Sequence, residues 1–313
     1  MNFDELFGHL GQHTVDGLSK GAIYALVALG YTLVYGVLKL INFAHSEVFM
    51  VGTFAVLGTW TALGATSNPS VGMMILFLLA GLVAGAVASG ATAVGVELIA
   101  YRRLRRMNAP PLIFLITAIG LSLVLSEAFG LWQGRLIKGM PTIVEREVLF
   151  TIGNTEITNT QLLTIVSALV MMILLDVFIN RTRYGRGVRA VAQNPDTAAL
   201  MGVNKDRVIL LIFLLGGLLA GAAALLYNVR YGNTRFNVGF LLGLKAFTAA
   251  VLGGIGNLRG ALLGGLLLGV VEVYAATLTQ SNWEDVAAFT VLVVVLLFRP
   301  TGLLGESLGR ARA

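Results

Sequence analysis

Few residues in this chain are equipped for chemistry, and several of them stand inside apolar runs. His45 and Glu47 belong to Asn42-Phe43-Ala44-His45-Ser46-Glu47, a polar interruption between two hydrophobic stretches that contains no proline. A His–Glu pair suits proton transfer or metal ligation. No Ser or Cys nucleophile motif accompanies it, however, and a metal ion needs more partners than these. The segment reads either as a cytoplasmic turn capped by Asn42 or as a broken, re-entrant helix whose backbone lines a cavity. Lys245 and Glu272 each interrupt an apolar run. An ionisable group at membrane depth is costly unless it is paired or lines a path. Standing on consecutive runs, the two are expected to form an internal ion pair if their depths agree, or to take part in a translocation path. Asn42, His45, Glu47, Lys245 and Glu272 are therefore the candidate path residues, and no catalytic residue or metal ligand is assigned.

The other charges in apolar runs have plainer readings. Glu97 and Asp176 neighbour arginine clusters and suit local ion pairs, Lys20 suits snorkelling near a helix start, and Glu127 is expected to lie deeper. A Gly-x-Gly at Gly254-Ile255-Gly256 follows no strand, so it carries no nucleotide-binding signal.

Composition supplies the elements that must position these groups. The 313 residues are 57% hydrophobic and only 12% charged, with a mean hydropathy of +0.84. Such a chain cannot cover a water-facing surface with polar residues, which leaves the class of polytopic α-helical membrane proteins. The apolar runs are continuous, without the alternation of a membrane β-barrel. A net charge of +6 calls for no nucleic-acid partner, because the excess sits in short loops and the tail, where the bilayer explains it. The absence of cysteine excludes disulfides and thiolate metal sites, and three histidines disfavour a His-rich centre. The N-terminus is acidic and lacks the basic region of a cleaved signal peptide, so the first span is expected to remain.

Apolar runs occupy residues 15–38, 48–63, 71–100, 112–132, 162–179, 208–229, 238–256, 261–278 and 286–298. Clusters at Arg102, Arg103, Arg105 and Arg106, and again in residues 181–207, mark the cytoplasmic face. Residues 133–160 form the longest polar connection, expected to be an external hairpin or cap turning at Gly153-Asn154. The fold class is thus an all-α polytopic membrane protein in a single permease domain, residues 1–313. It has nine crossings if residues 39–47 reach the cytoplasm and eight if they are re-entrant. Glycines recur at four-residue spacing, as at Gly17/Gly21, Gly81/Gly85, Gly217/Gly221, Gly256/Gly260/Gly264 and Gly265/Gly269. Small residues so spaced let helix backbones approach closely, whether for static packing or for sliding.

The basic segment 181–207 carries helix punctuation as well as charge. Asn194 suits an N-cap, Pro195 the first helical position, and Gly202 the C-terminal turn. A short cytoplasmic helix from Pro195 to Met201 is expected. No Gly-Lys dipeptide occurs anywhere in the chain, so it has no Walker A phosphate loop. If transport is driven by ATP, the ATPase is another polypeptide and this helix is its docking element. Arg186, Arg189, Asn194, Asp196, Ala199, Leu200, Met201 and Gly202 are the candidate coupling residues.

Four stretches together resemble a known family. They are Gly30-Tyr31-Thr32-Leu33-Val34-Tyr35-Gly36 leading into Ile41-Asn42-Phe43-Ala44-His45-Ser46-Glu47; Tyr184-Gly185-Arg186 through Gly202-Val203-Asn204; residues 245–256; and Arg299-Pro300-Thr301-Gly302-Leu303-Leu304-Gly305. Over nearly its whole length the chain resembles bacterial ABC-importer permeases of the branched-chain amino acid type, the LivH-like subunits. Ser46 stands where family members often have glycine. The resemblance implies a bacterial inner-membrane permease without a cofactor of its own. It further implies a second related permease, two cytoplasmic ATPases that use ATP, and a periplasmic substrate-binding protein. A permease for urea or short amides, or a secondary transporter, are the alternatives.

Overall fold

The computed structural model describes residue 6, residues 8–279 and residues 283–305. The acidic residues Asp4 and Glu5, together with Ser281, Asn282, Arg310 and Arg312, lie outside the described residues. The helices are α1 (Leu10–Leu38), α2 (His45–Ala62), α3 (Val71–Val96), α4 (Pro111–Gln133), α5 (Asn159–Arg181), α6 (Arg183–Gln193), α7 (Pro195–Leu200), α8 (Lys205–Tyr231), α9 (Val238–Gly253), α10 (Leu258–Leu278) and α11 (Glu284–Phe298). Among the described residues six helices are long and apolar enough to cross a membrane: α1, α3 with its extension to Arg106, α4, α5, α8 and α10. Helices α2, α9 and α11 fall outside that set and accompany the six long helices.

Helix α1 is the hub. Every residue from Gly21 to Val34 is buried, so no side of this helix faces out. Helix α10 packs along it through glycines. A Cβ at Gly17 would come 2.6 Å from the Cα of Val270, and one at Gly265 would come 2.6 Å from the Cα of Ala25. Helices α3 and α8 meet in the same way, with a Cβ at Gly217 falling 2.8 Å from the Cα of Gly90. Lipid gives helices no hydrophobic reason to associate, so this intimacy of backbones is what supplies the packing energy.

The outer helices bury only a stripe. In α4 it is Phe114, Ala118, Ser122, Ser126 and Gly130, at four-residue spacing. The opposite faces of α3 and α4 expose Leu79, Val83, Ile116 and Val124, a surface suited to acyl chains.

Helix α3 does not stop at the arginine cluster. It passes through a π-helical turn, Glu97–Tyr101, and a last turn, Arg102–Arg106. Helix α9 stops at Gly253, short of the expected Gly256, because Gly254 and Gly256 take φ of +106° and +100°, open only to glycine at low cost. On the face opposite the arginine clusters, β2 (Val148–Ile152) and β3 (Thr155–Thr158) form the hairpin, turning at Gly153 with φ +61°. A second ladder pairs β1 (Lys138–Gly139) with β4 (Asn233–Thr234), tying this cap to the loop after α8. The start of α1 is fastened to the same cap, since Gln12 accepts from the Glu156 amide (2.9 Å) and Gln161 donates to Asp16 (2.7 Å).

Candidate functional site

The segment after α1 turns back into the bundle. Lys39 takes a left-handed backbone (φ 55°) that ends α1, and α2 begins at His45. His45 packs edge-on to Tyr31, with ring centroids 5.0 Å apart. Its ring fills the space that a side chain at Gly30 would take, and it also lies beside Gly216 in the middle of α8. Contact with the middle of a long helix places the start of α2 deep within the bundle.

Its three candidate side chains, Asn42, His45 and Glu47, go separate ways. Asn42 accepts a hydrogen bond from the Tyr101 hydroxyl (3.2 Å). His45 is 2% exposed and fits among aromatic and glycine surfaces. Glu47, with no exposed surface, accepts from the Ser122 hydroxyl of α4 (3.2 Å) and lies 3.5 Å from that of Ser46. A catalytic His–Glu pair would need the two side chains to meet, and no hydrogen bond joins them among the described residues. The same residues contain no cluster of His, Cys, Asp and Glu able to hold a metal ion.

Lys245 and Glu272 do come together. Lys245 Nζ stands 3.0 Å from Glu272 Oε1, so their depths agree. The pair is part of a larger group. Lys20 Nζ lies 3.1 Å from Glu272 Oε2, and the Tyr24 hydroxyl donates to the same oxygen at 2.8 Å. Lys245 also reaches Asp285 at 2.6 Å, and Lys20 pairs with Glu284. Two ammoniums and three carboxylates thus join α1, α9, α10 and the first turn of α11. Lys20, expected to snorkel, is drawn inward because Glu272 and Glu284 sit within its reach. A polar cavity of about 270 Å³ lies against this group, lined in part by Lys20, Tyr24, Arg235, Lys245 and Asp285. Glu127 joins neither group: its side chain is half exposed and pairs with Arg135 at 2.5 Å.

Sequence reasoning missed Tyr24, Glu284, Asp285 and Ser122 as members of these groups. Glu284 and Asp285 read as loop acids, because nothing in the sequence shows α11 starting inside the bundle. Ser122 is a single small hydroxyl in an apolar run and gives no periodic signal.

On the arginine-rich face the segment 181–207 holds two helices where one was expected. Thr182 accepts from the Gly185 amide (3.0 Å) and starts α6, whose Val188 and Val191 are buried. Gly185 allows the close approach, because its Cβ would collide with the Ile179 carbonyl at the end of α5. Arg189 donates to that same carbonyl and to Asn180 (3.4 Å), while the side chain of Arg186 is exposed. Asn194 then caps α7, its side-chain oxygen accepting from the amides of Asp196 and Thr197, both at 3.0 Å. Asp196 lies 3.5 Å from Lys205. Gly202, with φ +83°, closes the turn after Met201. Ala198 faces inward, whereas Ala199 faces out and Leu200 and Met201 are 88% and 81% exposed. Two large apolar side chains at the end of a capped helix on the arginine-rich face thus stand outside the core.

Known proteins bear on this arrangement over almost its whole length. The profile of the family described as "Branched-chain amino acid transport system / permease component" matches residues 13–296. The chain is 43% identical over 301 residues to the high-affinity branched-chain amino acid transport system permease protein BraD of Pseudomonas aeruginosa, covering 95% of this chain and 96% of that one. It is 38% identical over 307 residues to the corresponding protein LivH of Escherichia coli K12, covering 96% and 97%. Similarity extends to the fructose import permease protein FrcC of Rhizobium meliloti, 30% identical over 204 residues, covering 61% of this chain and 55% of that one. Three kinds of observation agree: a glycine-packed bundle of membrane-length helices, a capped helix presented on its basic face, and similarity from end to end. The chain belongs to the family of permease components of branched-chain amino acid transport systems.

Proposed function

We propose that this chain is the membrane-spanning permease subunit of an ATP-driven importer of branched-chain amino acids, embedded in the bacterial inner membrane. The observation that carries this reading is the full-length similarity to BraD and LivH, which spans the break, the cap and the coupling segment. It works with two cytoplasmic ATPases, a second related permease and a periplasmic binding protein. It binds no cofactor, and ATP is used by its partners.

The geometry suits that division of labour. Closure of the ATPase pair presses on α7 through Ala199, Leu200 and Met201. Because α6 is clamped beneath the end of α5 and leads directly through α7 into α8, the push reaches two long helices at once. The bundle then exchanges an external opening for a cytoplasmic one. With α2, α9 and α11 counted as partial passes, the chain crosses nine times, which puts the start of α1 on the external side with the cap. The hairpin and cap of residues 133–160, tied to residues 230–237, receive the binding protein. Asn42, His45, Glu47, Lys245 and Glu272 shape the path: the first three fix the break at mid-depth, and the last two fasten the middle of α9 to the outer half of α10.

The test is reconstitution. The chain is co-expressed with the partners encoded beside it and placed in proteoliposomes with ATP inside. Leucine uptake that requires both ATP and the binding protein is the expected result. Uptake of urea or short amides in its place, or ion-driven uptake by this chain alone, overturns the reading.

A further inference from the structure

A second cavity, of about 240 Å³, lies between the break and α4 and is walled by Tyr31, Phe43, Ser46, Ser122, Leu123 and Phe240, among others. It falls below the roughly 300–1,000 Å³ typical of pockets for drug-sized ligands, so its occupant is small. Ser122 is the central residue of α4, which sets the cavity at the middle of the membrane. Its rim is formed by Ile119, Leu123 and Phe240, 44%, 58% and 50% exposed, so it opens sideways from the subunit.

The walls are apolar except at one end. There the Ser122 hydroxyl donates to the buried Glu47 carboxylate (3.2 Å), which leaves the serine oxygen's lone pairs free for a donor in the cavity. Ser46 donates to the Phe43 carbonyl (2.6 Å) and is likewise left with lone pairs. The second Glu47 oxygen and the Tyr31 hydroxyl are buried and make no hydrogen bond. Nothing covers them from α9, because the nearest residues there are glycines. A Cβ at Gly239 would come 2.9 Å from that Glu47 oxygen, and one at Gly243 would come 3.1 Å from the Tyr31 hydroxyl. Buried polar atoms without partners are uncommon and costly; here one belongs to Tyr31, which walls the cavity, and the other to Glu47, which stands behind Ser122.

We infer that this cavity is a transport subsite for one α-amino acid with a branched aliphatic side chain, and that the permease itself therefore selects substrate. The alkyl group lies against Phe43, Leu123 and Phe240. The ammonium is received by the Ser46 and Ser122 hydroxyls with the Glu47 carboxyl behind them, and the carboxylate accepts from Tyr31. Glu47 is a positioning residue that acts through Ser122. The polar end decides the occupant: a lipid chain or an apolar side chain from a neighbouring permease would fill the cavity but bring no donor to the two serine oxygens. The inference rests on the proposed substrate class.

The chain has no cysteine, so Leu123→Cys gives a unique label site at the rim, with Ile119→Cys as a second should the first fail to assemble. Each is placed in the reconstituted importer, and modification by a small methanethiosulfonate is followed by the mass of this chain, with leucine in excess on the ATPase side. Leucine and isoleucine are expected to slow labelling several-fold. Isocaproate, which lacks the ammonium, and leucinamide, which lacks the carboxylate, leave it unchanged. Adding Glu47→Gln shifts leucine protection to higher concentration. Labelling indifferent to leucine in a variant that still imports it overturns the inference alone. Equal protection by isocaproate also overturns it and assigns the cavity to alkyl chains in general. An unmodified importer that moves no branched-chain amino acid overturns the functional reading, and the subsite falls with it.

Discussion

Glu272 holds its carboxylate between two lysine ammoniums and a tyrosine hydroxyl, with no exposed surface. Taking one charge from such a group leaves the others buried and uncompensated, which costs about 3–5 kcal/mol. Glu272→Ala is therefore expected to lower the thermal unfolding midpoint of the purified subunit sharply, while Glu127→Ala, at a half-exposed position, leaves it near the parent. Equal midpoints for the two variants would contradict the account of the cluster. Leu200 and Met201 call for the opposite expectation. They contribute almost nothing to the interior, so Leu200→Asp with Met201→Asp should leave assembly of the bundle and its melting unchanged. In the reconstituted importer the same pair is expected to abolish uptake while the ATPases keep hydrolysing ATP. Retained uptake removes α7 as the coupling contact.

At the scale of the element, glycine separates packing from exposure. A Cβ at Gly265 would run into the backbone of α1, whereas one at Gly95 meets nothing within 4 Å. Gly265→Leu should destabilise by at least the roughly 1–3 kcal/mol usual for an overpacked core, seen as loss of monodisperse protein in detergent. Gly95→Ala, in the interior of α3, should be neutral or stabilising by up to about 1 kcal/mol from helix propensity. Elements were also the most legible part of the sequence. The long spans announce themselves as apolar runs, and the caps at Asn194 and Gly202 are local chemistry that a reader of residues can see. Helix α6 was missed because its punctuation is a single Thr182 amid arginines, and the buried face it shows is made by α5 and α8. The candidate site was legible as residue types only. Burial is a tertiary quantity, so hydropathy could offer Glu284 as a loop acid when the fold sets it beside Lys20 and Lys245. The His45 segment was visible as a break, but its return into the bundle depends on Gly30 and Gly216, which lie far from it in sequence.

For the molecule as a whole, the cap and the basic face lie at opposite ends of one bundle. The cap is held by short ladders and by hydrogen bonds to the start of α1. Replacing residues 148–158 by a short flexible turn is expected to leave the membrane helices assembled and the basal ATPase rate unaltered, and to remove its stimulation by the binding protein. Stimulation that survives the replacement locates the docking surface elsewhere.

The central position of α1 has a consequence for how the protein is made. This helix leaves the ribosome before its partners, yet it carries the small and polar surface of Gly17, Ser19, Lys20, Gly21 and Thr32, which is complete only against α8, α9 and α10. Until the last of those is synthesised, Lys20 lacks Glu272, and the glycines face either lipid or the insertion machinery. A helix inserted well ahead of its partners is satisfied only when the last of them arrives. A nascent chain arrested after Tyr231 should therefore stay bound to the insertase and be degraded on release, whereas one arrested after Phe298 should be released folded.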